Sequence, residues 1–248
     1  MNPEKLKRSN LLLGAGALEN IEKSCVTVIG LGAVGSHVIE ALARTGVGTL
    51  RIVDFDAIGL SNFNRQLLAV ESNLGRLKID AAEERLKQIN PDIIVQKYNR
   101  LCHRDTFDEI FESPTDVVVD AIDSLNAKVN ILYELVQRKM AVISCMGAAR
   151  RLDPGKIRVG DISETQACPL ARSVRKRLKR MGVDHGIRCI YSTEVASDDS
   201  VSREPEANCQ DVGRPRNPMG SIIMITGIFG YMAALEALKT IVPMDGAL

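Results

Sequence analysis

The run V-T-V-I-G-L-G-A-V-G from Val26 to Gly35 constrains the fold more than any other part of the chain. Val26 to Ile29 is a short β-branched segment suited to a buried parallel strand, and Gly30, Gly32 and Gly35 follow in G-x-G-x-x-G spacing. The first glycine allows a tight reversal. The second lets a phosphate approach the main chain, and the third lets a helix lie close on the strand. Ala33 to Arg44 is rich in helix formers, Gly46 and Gly48 end it, and Thr49 to Val53 reads as a second strand closed by Asp54. Asp54 stands about 20 residues beyond the glycines, where an acid can accept the hydroxyl hydrogens of a ribose. The spacing therefore predicts an α/β nucleotide fold whose helix N-terminus faces an anion. On this motif alone a dinucleotide site, as in an NAD-dependent oxidoreductase, is the commonest reading.

The residues beyond Asp54 depart from the dinucleotide pattern. Asp54 is succeeded by Asp56, by Ser61-Asn62-Phe63-Asn64-Arg65-Gln66 and by Lys78, so the acid is followed at once by groups that bind triphosphate oxygens. Gly75 to Asn90 reads as a helix with Lys78 near its start, where a cation runs against the helix dipole unless it has an anion to meet. Asp116 to Ile122, DVVVDAI, is a continuous apolar run fit for a central parallel strand, with Asp123 at its carboxyl edge. Asp123 then either caps the following helix or faces a ligand, since open α/β sheets bind ligands outside the carboxyl ends of their strands.

In these residues the chain resembles the E1-like adenylating family, with its glycine turn, D-x-D, S-N-x-x-R-Q, a lysine about a dozen residues later and a further aspartate. The resemblance spans nearly the whole chain. It implies a Rossmann-like, doubly wound, mostly parallel sheet of the E1-like activating-enzyme type, as one domain over 1–248. Residues 1–150 would be the ATP-binding half and 151–248 the substrate-binding and dimerisation half. It also implies ATP and Mg²⁺: Asp54, Asp56 and Gln66 beside the glycine turn, Asn62 orienting phosphate or loop groups, Arg65 and Lys78 on the leaving pyrophosphate, and Asp123 on Mg²⁺. In the family an arginine six residues before a glycine reaches into the neighbouring subunit's site. Arg8 stands at that offset from Gly14, which implies a homodimer, although the bland reading of the first 24 residues is a solvated helix.

The remainder bears on what is adenylated. Pro169 opens a helix in which Leu170, Val174, Leu178 and Met181 share one face, leaving Arg172, Arg175, Lys176, Arg177, Lys179 and Arg180 around the rest. Six cations with no acid among them have no partners one turn away, so they form either a solvated face or a phosphate-backbone surface. With 32 basic and 31 acidic residues the chain has no global field to attract nucleic acid, and such a patch would have to act locally. This helix, DAIDS at 120 to 124 and C-I-Y-S-T-E at 189 to 194 resemble the tRNA-modifying branch of the family. That branch activates the threonyl carboxylate of N6-threonylcarbamoyladenosine in tRNA and closes it into a ring. The alternative within the family is activation of the C-terminus of a ubiquitin-like or sulfur-carrier protein, whose enzymes generally carry paired zinc cysteines.

Cysteine usage argues against that alternative. The six cysteines, at 25, 102, 145, 168, 189 and 209, contain no C-x-x-C pair. No signal peptide is evident, which favours a reduced cytoplasmic setting. The resemblance leaves a sulfur-relay partner of the cysteine desulfurase type open, together with the role of Cys209 in the polar loop 196–218. Met219 to Leu235 is apolar enough to be taken for a membrane span. Its three glycines, the charged Glu236 and Lys239 just beyond it, and the lack of a flanking basic cluster predict a buried helix instead.

Overall fold

The computed structural model describes residues 1–196 and 218–242. Seven strands form one sheet: β1 (Cys25–Ile29), β2 (Thr49–Val53), β3 (Ile94–Tyr98), β4 (Val117–Asp120), β5 (Val142–Cys145), β6 (Ile157–Asp161) and β7 (Arg188–Ser192). They run in the order β3-β2-β1-β4-β5-β7-β6, all parallel except β6, which pairs antiparallel with β7. β1 pairs in register with β2 on one side and β4 on the other, so the strand order reverses there. A doubly wound sheet opens its ligand crevice at that switch point.

Eight helices flank the sheet among the described residues: α1 (Lys7–Leu13), α2 (Ala15–Lys23), α3 (Gly35–Thr45), α4 (Lys78–Ile89), α5 (Phe107–Ile110), α6 (Leu125–Gln137), α7 (Pro169–Arg180) and α8 (Ile223–Ile241). Strand side chains alternate between two cores. Val26 and Val28 of β1 pack with Val38, Leu42, Ala82, Leu86 and Phe229 from α3, α4 and α8. Ile29 of β1 and Val118 of β4 face the other way, toward Phe107, Leu132 and Leu178 from α5, α6 and α7.

The apolar C-terminal segment is long and apolar enough to cross a membrane, yet Ile225, Phe229, Ala233, Ala234 and Ala237 are buried in the first core. Glycine allows the close approach to α3: a Cβ at Gly230 would stand 2.7 Å from the Val34 carbonyl oxygen and from His37 Cβ. The helix begins four residues later than the sequence pattern suggests, at Ile223. Met224, Tyr231 and Leu235 are left exposed on its outer side.

Two further boundaries shift for physical reasons. α4 starts at Lys78 because Ile58 and Gly75–Arg76 are tied to each other by main-chain hydrogen bonds, holding the preceding residues out of the helix. In α7 the buried stripe is Ala171, Val174 and Leu178, whereas Leu170 is only partly covered and Met181 is exposed. Val174 and Leu178 thus hold the expected face, while its two ends differ. Most of the loop expected at 196–218, with Cys209, lies outside the described residues.

Candidate nucleotide and carboxylate-activating site

The glycine turn is built as its spacing requires. Gly30 adopts φ +90°, a region that disfavours side chains, and donates its N–H to the Val53 carbonyl at 2.8 Å. At Gly35 a Cβ would fall 1.7 Å from the Gly30 carbonyl oxygen, so no larger residue fits. Over Gly32, by contrast, the only atom an added Cβ would meet within 4 Å is Gln66 Nε2, at 3.8 Å. That space is an open cradle before the N-terminus of α3. Gln66 is itself buried, and its Oε1 has no hydrogen-bond partner among the described residues, a group left unspent where a nucleotide would lie.

Asp54 closes β2 directly beside this turn. Its Oδ2 accepts the Leu31 N–H at 2.6 Å and its Oδ1 accepts the Asp56 N–H at 2.8 Å. Burial pushes this carboxyl above its ordinary value, opposed by the neighbouring Lys78 ammonium. Lys78 comes from 24 residues downstream in sequence because residues 56–58 pair with 75–78: Ala57 bridges Leu77, and the Lys78 N–H donates to the Asp56 carbonyl at 3.0 Å. The lysine is neither solvated nor idle. It is 5% exposed, 2.6 Å from Asp56 Oδ2 and 4.0 Å from Asp54 Oδ1. Two carboxylates thus hold a cation at the start of a helix, where the dipole would otherwise disfavour it.

The S-N-x-x-R-Q segment forms a 3₁₀ turn over Leu60–Asn62. Asn62 is spent inside the loop, its Oδ1 accepting the Gly59 N–H at 3.1 Å and its carbonyl accepting from Gln66 N–H at 2.9 Å. Of its two expected roles, phosphate or loop, the structure shows the loop. Ser36 on α3 docks the segment by accepting the Leu67 N–H at 3.2 Å. Arg65 is half-exposed and donates to the Ser61 carbonyl at 2.6 Å and to Asn64 Oδ1 at 3.0 Å.

Asp123 is exposed on the turn between β4 and α6, and the N-cap of α6 is Ser124, without a side-chain capping bond. That turn abuts the glycine turn, since a Cβ on Gly30 would stand 3.0 Å from the Ala121 carbonyl oxygen. A feature missed in the sequence braces it. Asp120 and Lys128 form a fully buried ion pair at 2.5 Å, Ser144 donates to Asp120 Oδ2 at 2.6 Å, and Asp120 Oδ1 accepts the Ile122 N–H at 3.1 Å. The signal was available: a charge ending the apolar run VVVD at the centre of a sheet requires a buried counter-ion.

Arg8 is exposed on α1, and among the described residues its side chain makes no hydrogen bond or ion pair. On α7 the six cations divide. Arg175 is half-buried and bonded to the Thr165 carbonyl at 2.6 Å and to Thr165 Oγ1, and Arg177 donates to Asn126 Oδ1. Arg172, Lys176, Lys179 and Arg180 are exposed, and their side chains make no hydrogen bond or ion pair with any described residue. Arg172, Lys176 and Lys179 line a cleft with Ser163, Asp184 and His185. The buried thiols of Cys102 and Cys145 are pushed up to about 12 by burial, and Cys189 is raised for the same reason, which disfavours a thiolate at these three positions. Among the described residues no group of three His, Cys, Asp or Glu side chains is placed to hold a metal.

A doubly wound sheet with a glycine turn at its switch point, followed by an arginine-bearing loop and a paired lysine, defines the class of nucleotide-binding α/β proteins. The chain belongs to the ThiF family, whose model matches residues 6–246. It is 34% identical over 243 residues to the tRNA threonylcarbamoyladenosine dehydratase of Bacillus subtilis, covering 96% of each chain. The crystal structure of the Escherichia coli tRNA N6-threonylcarbamoyladenosine dehydratase in complex with ATP superposes with a TM-score of 0.87 at 30% identity, covering 98% of this chain and 95% of that one. An adenylyltransferase and sulfurtransferase MOCS3 of Culex quinquefasciatus is 29% identical, and this chain covers 46% of its length. The E1-like fold and the family are those the sequence motifs implied.

Proposed function

We propose that this chain is an ATP-dependent tRNA threonylcarbamoyladenosine dehydratase, a cyclising ligase that works through an acyl-adenylate. The observation that carries this reading is full-length similarity to dehydratases of that name, together with a glycine turn whose open cradle and unspent Gln66 oxygen suit a nucleotide. The MOCS3 relative, matched over less than half its length, supports the alternative less well.

In the reaction, the threonyl carboxylate attacks the α-phosphorus of ATP. An oxygen–phosphorus bond forms, the bond to the bridging oxygen breaks, and pyrophosphate leaves. The modified nucleoside then closes on the activated carbonyl and expels AMP, with net loss of water. No protein nucleophile is required. The barrier is met by positioning and preorganised charge. The glycine turn and the α3 N-terminus receive phosphate, Asp54 grips the ribose, and Gln66 fixes the nucleotide over Gly32. Lys78 exchanges part of its contact with Asp56 for the leaving pyrophosphate, and Arg65 swings from the Ser61 carbonyl toward the same charge. The donor set suits Mg²⁺, which is commonly held by one or two carboxylates and substrate phosphates; Asp123 would hold it, and it would neutralise phosphate charge. Arg172, Lys176, Lys179 and Arg180 meet the RNA backbone, while Arg175 and Arg177 chiefly fasten α7 to its neighbours.

The active form is a homodimer in which Arg8 completes the partner's site. Two observations support this. α1 buries none of its residues although Leu11 and Leu12 are 83% and 73% exposed, and α8 presents Met224, Tyr231 and Leu235 outward. Residues 1–150 supply the nucleotide half and 151–248 the substrate and dimer half. The test is ATP–pyrophosphate exchange. Exchange that requires tRNA supports this function, exchange that requires a ubiquitin-like protein overturns it, and NAD binding tighter than ATP overturns the nucleotide assignment.

A further inference from the structure

Arg151 is the one buried side chain at the carboxyl edge whose charge the described structure leaves without an acid. It is 3% exposed and donates to the Ala167 carbonyl at 3.1 Å and weakly to the Arg150 carbonyl at 3.5 Å. Among the described residues its buried Nε has no hydrogen-bond partner and no carboxylate pairs with it. A guanidinium withdrawn from water usually has a carboxylate or phosphate to face.

Its surroundings point to where that anion enters. Ala167 immediately precedes Cys168, the N-cap of α7, and the first turn of α7 packs against Gly147, two residues beyond β5; a Cβ there would lie 3.3 Å from Cys168 Sγ and 3.7 Å from Leu170 Cβ. The N-terminus of α7 therefore sits at the carboxyl edge of the sheet, beside the strand next to β4. Pro169 has no N–H to offer and the Ala171 N–H is capped by Cys168 Sγ at 3.5 Å, which leaves the Leu170 N–H without an intrahelical acceptor, and the helix dipole favours an anion there. The backbone is strained on both sides of the guanidinium's contacts, with φ +64° at Arg150 and +55° at Ala167. Neither is a glycine. Strain of that kind persists where the surrounding structure enforces it, often at ligand sites.

We propose that Arg151 and the first turn of α7 receive the carboxylate that is to be adenylated, an inference that rests on the carboxylate-activating function above. The fork of the guanidinium pairs with the two carboxylate oxygens and holds them at the edge where the α-phosphorus of ATP lies, and α7 then carries the RNA-facing cations away from the same point. Arg151 thus binds substrate, distinct from the charges on the pyrophosphate.

The experiment compares wild type, Arg151→Gln and Arg151→Lys on two forms of one tRNA, with and without the threonylcarbamoyl group; the two share every phosphate, and the carboxylate is the one charge that the group adds. Wild type should bind the modified tRNA about tenfold or more tighter, as expected for charge-assisted hydrogen bonds. Arg151→Gln should bind both forms alike, at the wild-type affinity for the unmodified form, with ATP affinity unchanged and tRNA-dependent pyrophosphate exchange lowered about a hundredfold. Arg151→Lys keeps the charge and the bond to Ala167 and should restore part of the discrimination; it carries the comparison if the glutamine variant does not fold. Undiminished preference for modified tRNA in both variants overturns the proposal. So does equal loss on both tRNAs, which would mark a phosphate contact, or a parallel loss of ATP affinity, which would mark a structural role. Absence of tRNA-dependent exchange in wild type would instead remove the underlying function before any variant is compared.

Discussion

Lys78, proposed to meet phosphate, shows how a single side chain is held in place by its neighbours. It lies buried between two carboxylates, 2.6 Å from Asp56 and 4.0 Å from Asp54, so its charge is held in place before a nucleotide arrives. Preorganised charge of this kind is worth most where water is excluded. Lys78→Ala and Arg65→Ala should each lower adenylation by roughly two orders of magnitude, the scale of losing one such group, while the fold survives. Single-turnover formation of the adenylate measures this, and near-normal rates in either variant would contradict the assignment. Lys78 was legible because a cation in a first helical turn asks for an anion. Asp120 and Lys128 were not assigned, since their pairing depends on α6 folding back over the end of β4 beside Ser144 of β5. Arg151 escaped for the same reason: a sequence shows that an arginine is present, but its burial follows from the meeting of the 146–156 segment with α7.

At the scale of elements, α3 and α4 are joined by Glu40, which is nearly buried and accepts from Arg85 Nε at 3.0 Å, Arg85 Nη2 at 2.8 Å and Arg44 Nε at 2.7 Å. Burial pushes its carboxyl up, but the hydrogen bonds from Arg85 and Arg44 outweigh it, and the net shift is downward. The unfolded chain therefore takes up this proton at higher pH than the folded one. The stabilisation is complete above the ordinary glutamate value and is lost as pH falls through the lower folded value. Glu40→Gln should cost about 2 to 3 kcal/mol at neutral pH and make the acid limb of a pH–stability curve shallower below about pH 5. Chemical denaturation across pH checks it, and an unchanged limb would count against Glu40 as the link. In α7, replacing Lys176, Lys179 and Arg180 with Ala should reduce the slope of log affinity for tRNA against log salt by about 2 to 3, while ATP affinity stays constant. An identical slope in filter binding would remove RNA contact from this face. The helix itself was legible from Pro169 onward. Val174 and Leu178 were placed correctly in its buried stripe, and only the first member was misplaced by one position, because Leu170 and Ala171 are both acceptable to a core and packing beside Cys168 and α6 selects the alanine.

For the whole molecule, the order β3-β2-β1-β4-β5-β7-β6 brings the glycine turn, Asp54, Lys78 and Asp123 to one edge, which parallel strands and the motif order foretold. The outward apolar side chains on α1 and α8 were not foretold, since a periodic pattern marks a face without saying what covers it. The proposed dimer would cover them. On random mixing, Arg8→Ala and Lys78→Ala subunits should regenerate about a quarter of the wild-type rate, because each mixed dimer would hold one intact site. No recovery after proven subunit exchange would mean that Arg8 does not act across the interface. The central claim is that the chain activates a carboxylate carried by tRNA. Its most direct measurement is mass spectrometry of the nucleosides from threonylcarbamoyl-modified tRNA after incubation with the protein, ATP and Mg²⁺. Threonylcarbamoyladenosine should be replaced by a nucleoside lighter by one water, in step with AMP and pyrophosphate release. Unchanged threonylcarbamoyladenosine in the presence of bound ATP and bound tRNA would contradict it.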